Sequence, residues 1–169
     1  MQGPKGSKGS TGSAGPPGPP GPAGPAAKSV AKAHGGLFNL EEGEFEIKPD
    51  EIVAMTFSDF LPADGMWYDD HHSMVLGEHG VYEIYFSLRA CSMTCGRLYI
   101  AITNDGVVIP SSRISCEICP DADCYLSGVA VTKASAGAHL HFIVFAKQFA
   151  KIKLHEGANL MMHVKKLAD

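Results

Sequence analysis

Glycine recurs at every third position through the first part of the chain, from Gly3 to Gly24. This period gives eight consecutive Gly-X-Y triplets over residues 3–26, and proline fills seven of the sixteen X and Y positions. Only glycine fits at the crowded axis of three wound polyproline II strands, so the pattern indicates a collagen-like triple helix. A flexible Gly/Pro-rich linker has no reason to keep the glycine register so strictly. The sequence therefore predicts a homotrimer.

The glycine period divides the chain into three parts. Residues 1–26 form the predicted collagen-like stalk, residues 27–36 a short joint, and residues 37–169 a head large enough for one hydrophobic core. Eight triplets hold a triple helix only weakly, so we expect the head to nucleate and align the trimer. Thr11 in the stalk is a candidate for O-linked glycosylation, and an ordinary polar collagen position is the alternative interpretation.

Charge is distributed unevenly between the stalk and the head. The first 32 residues contain four lysines and no acidic residue, so a net charge of −4 for the whole chain leaves −8 on the rest. An acidic head lacks the basic surface that phosphate contacts need, which argues against a nucleic-acid partner. No apolar run has the length of a membrane span, and no signal-peptide-like segment precedes the glycine tract. We therefore expect either a mature fragment or a protein that reaches an extracellular surface without the usual secretory signal.

After the joint, apolar and polar residues alternate with the period of β-strands. The Asn104-Asp105-Gly106 segment between two apolar runs predicts a tight hairpin, because these residue types tolerate a positive φ. No segment of ten or more residues has the pattern of an amphipathic helix. Strands are predicted at 52–57, 80–90, 97–103, 107–109, 125–132, 139–146 and 158–164. Many short strands at this spacing predict an all-β fold, a jelly-roll β-sandwich.

Two of the predicted strands are largely apolar on both faces, residues 140–145 and 160–164. One face of each strand can pack in the core, and we predict that the other packs against neighbouring subunits around a three-fold axis. The predicted trimer-interface residues are Phe142, Val144, Leu160, Met161, Met162 and Val164.

Three histidines lie on these same two strands: His139, His141 and His163. Around a three-fold axis they are candidates for a ring that binds an ion or responds to pH near about 6.5. Hydrogen-bonded interface histidines are the alternative interpretation.

Three segments of the head carry a resemblance to a known family. They are GVYEIYFS at 80–87, SAGAHL at 135–140, and the terminal segment 157–167, which begins with GANL. Together with the glycine tract, these segments resemble the C1q/TNF-like superfamily, and in particular the bacterial collagen-like glycoproteins of the spore surface, the exosporium. The resemblance implies a homotrimeric jelly-roll head whose last strand lies near the three-fold axis. It also implies deposition on the spore without a secretory signal.

The sequence departs from this family at two points. The Ala-Gly-Asp that is common in the family is Ala136-Gly137-Ala138 here, and five cysteines are unusual for such a head. The ligand of any one relative is therefore not carried over to this chain.

Two classes of function follow from this interpretation. The first is a structural surface protein, whose trimers project as collagen-stalked filaments from a spore coat or exosporium and take part in adhesion. The alternative is a recognition module, C1q-like or phage-fibre-like, whose head binds a glycan or a protein. The sequence contains no G-x-S-x-G, H-E-x-x-H or P-loop motif, so we predict that the chain is not an enzyme.

The head contains five cysteines: Cys91, Cys95, Cys116, Cys119 and Cys124. The predicted hairpin at 104–106 returns the C-x₂-C pair to the neighbourhood of the C-x₃-C pair. Four thiolates in this arrangement could bind a structural Zn²⁺, the one cofactor that the sequence suggests. The alternatives are two disulfides with a fifth cysteine free or bonded between chains, and unlinked cysteines packed as small apolar residues.

Overall fold

The computed structural model describes residues 1–12, 33–70 and 72–169. Most of the predicted collagen-like tract, and the joint up to residue 32, lie outside these residues. Residues 1–12 are exposed and contain no helix or strand, and Thr11 is among them. Its glycosylation stays a prediction.

The described residues form fourteen β-strands and a single turn of 3-10 helix. The strands are β1 His34–Asn39, β2 Gly43–Ile47, β3 Ile52–Ala54, β4 Asp59–Asp64, β5 Met66–Asp69, β6 Ser73–Leu76, β7 Gly80–Ser92, β8 Gly96–Asn104, β9 Val107–Val108, β10 Ile114–Ile118, β11 Asp123–Ala134, β12 His139–Ala146, β13 Ala150–Leu154 and β14 Leu160–Ala168. The 3-10 turn, Pro110–Ser112, lies between β9 and β10.

The strands form two antiparallel sheets that pack face to face. Sheet 1 has the order β2-β13-β7-β14-β1-β4, and β11 also pairs with β7. Sheet 2 has the order β10-β8-β12-β6-β5, with β3 paired to β12 and β9 paired to β8. The hydrophobic core lies between the two sheets. The predicted all-β sandwich is confirmed.

Strand β7 organises sheet 1. One of its edges pairs with β11 along nearly the whole strand, and its other edge pairs first with β14 and then with β13. The sequence predicts that alternate residues of this strand share a buried face, and all four are fully buried: Tyr82, Ile84, Phe86 and Leu88.

Aromatic rings link the two sheets across the core. Phe142 of β12 packs edge-on against Phe86 of β7, with ring centroids 6.0 Å apart, and against Phe57 at 6.5 Å. Edge-to-face pairs of this kind contribute about 0.5–1.5 kcal/mol beyond the burial of their area. Phe142 therefore helps to fix how sheet 2 lies on sheet 1.

The predicted hairpin is confirmed at the turn between β8 and β9. Asn104 pairs with Val107, which leaves Asp105 and Gly106 as a two-residue loop. Their φ values of 49° and 79° are the positive values of a type I′ turn.

Strand β1 begins inside the range that the sequence analysis assigns to the joint, since residues 34–36 pair with β14. Glycine looks like a linker residue in sequence, but Gly35 and Gly36 serve close packing here. A Cβ atom on Gly36 would lie 2.8 Å from Leu61 Cδ1, and one on Gly35 would lie 3.1 Å from Ala63 Cβ. The two glycines therefore allow β4 to pack closely against β1.

The two ends of the sandwich differ in what they carry. His34, at the start of β1, pairs with Lys165 near the end of β14, so the chain enters and leaves the head at one end. Cys91, Asp123 and Lys153 meet at the opposite end of β7. We call this opposite end, with the turns 93–95 and 119–122, the distal end.

Candidate functional site

The outer face of sheet 1, which points away from the core, carries a group of apolar and aromatic side chains. Strand pairing places Met161 of β14 next to Phe38 of β1, and Tyr85 of β7 next to both His163 of β14 and Val129 of β11. The group extends across β1, β14, β7 and β11, and we call it the outer apolar face. Its members are Phe38, Tyr85, Tyr125, Val129, Val131, Met161 and His163.

These residues are exposed or half-buried in the single chain, although most are apolar. Tyr125, Val129 and Val131 are 63%, 54% and 50% exposed. Such a group, confined to one face of one sheet, is typical of a surface that another protein covers.

Two tyrosines of the outer apolar face are joined through their hydroxyls. The Oη atoms of Tyr85 and Tyr125 lie 3.4 Å apart. This hydrogen bond, together with burial, raises the pKa of Tyr85 above its usual value. A tyrosine is already neutral near physiological pH at its usual pKa of about 10, and this shift is in the same direction, so a partner that covers Tyr85 buries no charge there.

The structure corrects five of the six predicted trimer-interface residues. These five have no exposed area even in a single chain and belong to the core between the sheets: Phe142, Val144, Leu160, Met162 and Val164. Side chains alternate along a strand, so a residue whose side chain points into its own core cannot contact a neighbouring subunit. Met161, the sixth, lies on the outer apolar face, and its role at an interface stays a prediction.

The three candidate axial histidines lie on two different sheets. His139 and His141 are neighbours on the outer face of sheet 2, with their rings stacked and the centroids 6.2 Å apart. His163 belongs to β14 in sheet 1. The predicted grouping of all three is therefore wrong within one chain, because the whole sandwich separates His163 from the other two.

His139 and His141 lie in a group of polar residues near β5 and β6. His139 Nδ1 is 3.2 Å from Ser73 Oγ and 3.6 Å from Asp69 Oδ2. Burial lowers the pKa of His141, and the charge of neighbouring His139 lowers it further. Nearby Asp69 and Asp105 oppose this shift, and His72 reinforces it.

This shift predicts acid-sensitive stability. Because the folded chain holds the pKa of His141 below its unfolded value of about 6.5, the unfolded chain binds the proton first as pH falls. The contribution of His141 to the free energy of unfolding is therefore present above about pH 6.5 and decreases as pH falls towards the folded pKa. We expect His141→Gln to reduce the loss of stability between about pH 7.5 and 5.5, measured by urea denaturation at each pH. The control His79→Gln, at an exposed position, should keep the wild-type dependence. An unchanged pH dependence in His141→Gln would contradict the assignment.

The five cysteines lie towards the distal end, and all are free thiols. Cys116 of β10 contacts Cys124 of β11, at the edge where the two sheets meet. Burial, together with a smaller contribution from the hydrogen bond with Cys116, raises the pKa of Cys124 to about 12. Cys95 and Cys119 are exposed and line one cleft.

The described cysteines are not grouped as four thiols around one point, and the structural Zn²⁺ stays a prediction. Within residues 1–12, 33–70 and 72–169, no group of three or more His, Cys, Asp or Glu side chains is placed to bind a metal ion. The predicted return of β10 towards the turn after β7 is present, but Cys116 meets Cys124 and not Cys91.

The sequence analysis missed most of the outer apolar face. In β11 the exposed Val129 and Val131 alternate with the buried Ala130, so both faces of the strand are apolar. The sequence did contain a signal, because Tyr125, Val129 and Val131 lie at alternate positions and therefore on one face of the strand. Alternation alone does not show which face of the strand is turned towards the core.

No protein-family model matches the chain, and no curated protein matches it. Among solved structures, the fold is shared with TNF-type proteins. The Eiger TNF protein from S. frugiperda is 14% identical, with a TM-score of 0.56 over 83% of this chain and 94% of that one. Murine APRIL is 12% identical, with a TM-score of 0.61 over 80% of this chain and 99% of that one. At this identity the likeness shows the fold alone, a TNF-like jelly roll. No helix of the described residues is long and apolar enough to cross a membrane.

Proposed function

We propose that this chain is a homotrimeric surface protein, whose head aligns three collagen-like segments into a projecting stalk. The observation that carries this proposal is the outer apolar face of sheet 1. It lies on the sheet that contains the last strand, β14, which the C1q/TNF-like resemblance implies to lie near the three-fold axis. In a trimer in which each subunit's outer apolar face is covered by a neighbouring subunit, Val129 and Val131 would no longer be exposed to water.

The trimer gives a role to the glycine period. Eight triplets alone compensate poorly for the entropy that is lost when three chains come together. Association of the heads holds the three chains in register, so the triple helix forms at a smaller entropic cost. We assign the assembled protein to an extracellular surface, as a filament of a spore coat or exosporium with a role in adhesion. The resemblance to spore-surface collagen-like glycoproteins supports this assignment.

A recognition head is the second candidate, and the outer face of sheet 2 favours it. Tyr99 and Phe145 stack with centroids 5.0 Å apart and an interplanar angle of 9°. The Arg113 guanidinium lies 5.2 Å and 5.1 Å from the two ring centroids. A flat aromatic surface beside a cation suits a sugar ring or an acidic peptide. Binding on a glycan array that Tyr99→Ser abolishes would favour this role, and an array without binding would count against a glycan ligand.

The mass of the chain in solution tests the trimer. We expect sedimentation equilibrium to give about 54 kDa for the full chain, three times the chain mass of 17.9 kDa. Digestion with a bacterial collagenase, which removes Gly-X-Y segments, should leave a head that is still trimeric. A 17.9-kDa species before digestion would overturn the proposal. A trimer that becomes monomeric after digestion would show that the stalk drives assembly, and not the head.

A further inference from the structure

The pairing of β8 with β10 ends at the distal end, one residue before a cysteine on each side. In this antiparallel pair Arg97 lies opposite Glu117, and Gly96 lies opposite Ile118. If the same register is continued by one residue beyond both strands, Cys95 comes to lie opposite Cys119. Residues opposite each other on antiparallel strands have Cβ atoms about 4.5–5.5 Å apart, close to the separation of about 3.5–4.5 Å that a disulfide requires.

The local surface supports this placement independently. Cys95 and Cys119 line the same open cleft, and both are exposed, so a reagent in solution reaches either sulfur. The two turns that carry them are also joined by backbone contacts, because Ser92 bridges to Pro120 and its carbonyl accepts a hydrogen bond of 3.0 Å from the Asp121 amide. These contacts hold the two turns together before any bond forms between the sulfurs.

The other three cysteines are placed differently. Cys124 is buried, and its raised pKa suppresses the thiolate, the form that attacks a disulfide. Cys116, its neighbour, is half-buried against the core. Cys91 lies opposite Asp123 on one side and Lys153 on the other, so its strand neighbours offer no second thiol.

We propose that Cys95 and Cys119 form a reversible disulfide that joins the β7–β8 turn to the β10–β11 turn, while the other three cysteines remain thiols. With oxidised glutathione as the oxidant, one of the two exposed thiolates attacks the glutathione disulfide and releases a glutathione thiolate. The second thiolate then attacks the mixed disulfide and releases the other glutathione. Two protein thiols lose two electrons and two protons, and one glutathione disulfide becomes two glutathione thiols.

The sequence allows a direct test by peptide mapping. Trypsin cleaves after Arg89, Arg97, Arg113 and Lys133, so Cys91 and Cys95 fall in peptide 90–97, whereas the other three cysteines fall in peptide 114–133. After oxidation of the full chain with oxidised glutathione and alkylation of the remaining thiols, we expect these two peptides to appear as one disulfide-linked species. The linked species should carry three alkylated cysteines and should separate on reduction. On a non-reducing denaturing gel the protein should still migrate as a single chain.

Two matched variants identify the pair. Cys119→Ser should abolish the linked species, and Cys91→Ser should leave it unchanged. Each of the following results would overturn the proposal: two separate peptides after oxidation, a link that Cys91→Ser removes, or covalent dimers on the gel. Oxidation of Cys116 with Cys124 would appear within peptide 114–133 alone, and its formation in place of the linked species would also overturn it.

Discussion

The Val164→Lys variant is expected to lose the cooperatively folded head. Val164 has no exposed area, pairs with Ile84 of β7, and belongs to the core between the two sheets. An ammonium group at this position finds no partner in an apolar core, and its burial costs several kcal/mol or forces the strand apart. Because the whole domain is stable by only about 5–15 kcal/mol, one such change removes much or all of its stability. Urea denaturation followed by far-ultraviolet circular dichroism should show either no transition or a much lower midpoint.

The same chemical change at an exposed valine provides the control. Val107 is 71% exposed in the β8–β9 hairpin, so Val107→Lys should change the free energy of unfolding by less than about 0.5 kcal/mol. A Val164→Lys protein with the urea midpoint of the wild type would show that β14 does not present this side chain to the core.

The second large effect is expected on assembly and not on folding. Val129 and Met161 lie on the outer apolar face, so the double variant Val129→Lys/Met161→Lys places two like charges where a neighbouring subunit is expected to pack. An uncompensated charge in a packed interface costs several kcal/mol, and three subunits would carry six of them. We expect sedimentation equilibrium to change from about 54 kDa to the 17.9 kDa of one chain. The circular dichroism spectrum of the monomer should remain that of a β-protein.

Val107→Lys serves as the control here too, and should leave the trimer intact. Persistence of the 54-kDa species in the double variant would show that three chains associate through another surface. Loss of folded structure together with the trimer would show that the isolated head is unstable without its partners. The contrast between Met161 and Val164 is informative because the two residues lie three positions apart on one strand, with side chains on opposite faces.

The fold class was predictable because alternation is a local signal. β12, His139–Ala146, has the predicted bounds, and β7 extends the predicted strand by two residues. Two of the missed strands have weak local signals: β4 contains Pro62 and is exposed throughout, and β1 begins with His34-Gly35-Gly36. β13, Ala150–Leu154, alternates regularly, but five residues are too few to stand out from a loop in sequence.

The site was less predictable because it depends on contacts between distant strands. Where both faces of a strand are apolar, as in β12, the two-residue period assigns the side chains to two faces. It does not show which of the two faces packs in the core. The meeting of Cys116 with Cys124 requires β10 and β11 to approach each other from different sheets, which no spacing along the chain specifies. The separation of His163 from His139 likewise depends on the order of strands in the two sheets.

Because β1 starts and β14 finishes at the same end of the sandwich, the position of a tag or an inserted peptide decides at which end of the head it emerges. A tag after Asp169 would emerge beside the point where the chain enters the head, where it competes for space with whatever precedes His34. A peptide inserted into the turn 119–122 would instead emerge at the distal end, away from the points where the chain enters and leaves the head. If three chains assemble as proposed, that position would present three copies of an inserted epitope at once, which makes the head a natural scaffold for multivalent display.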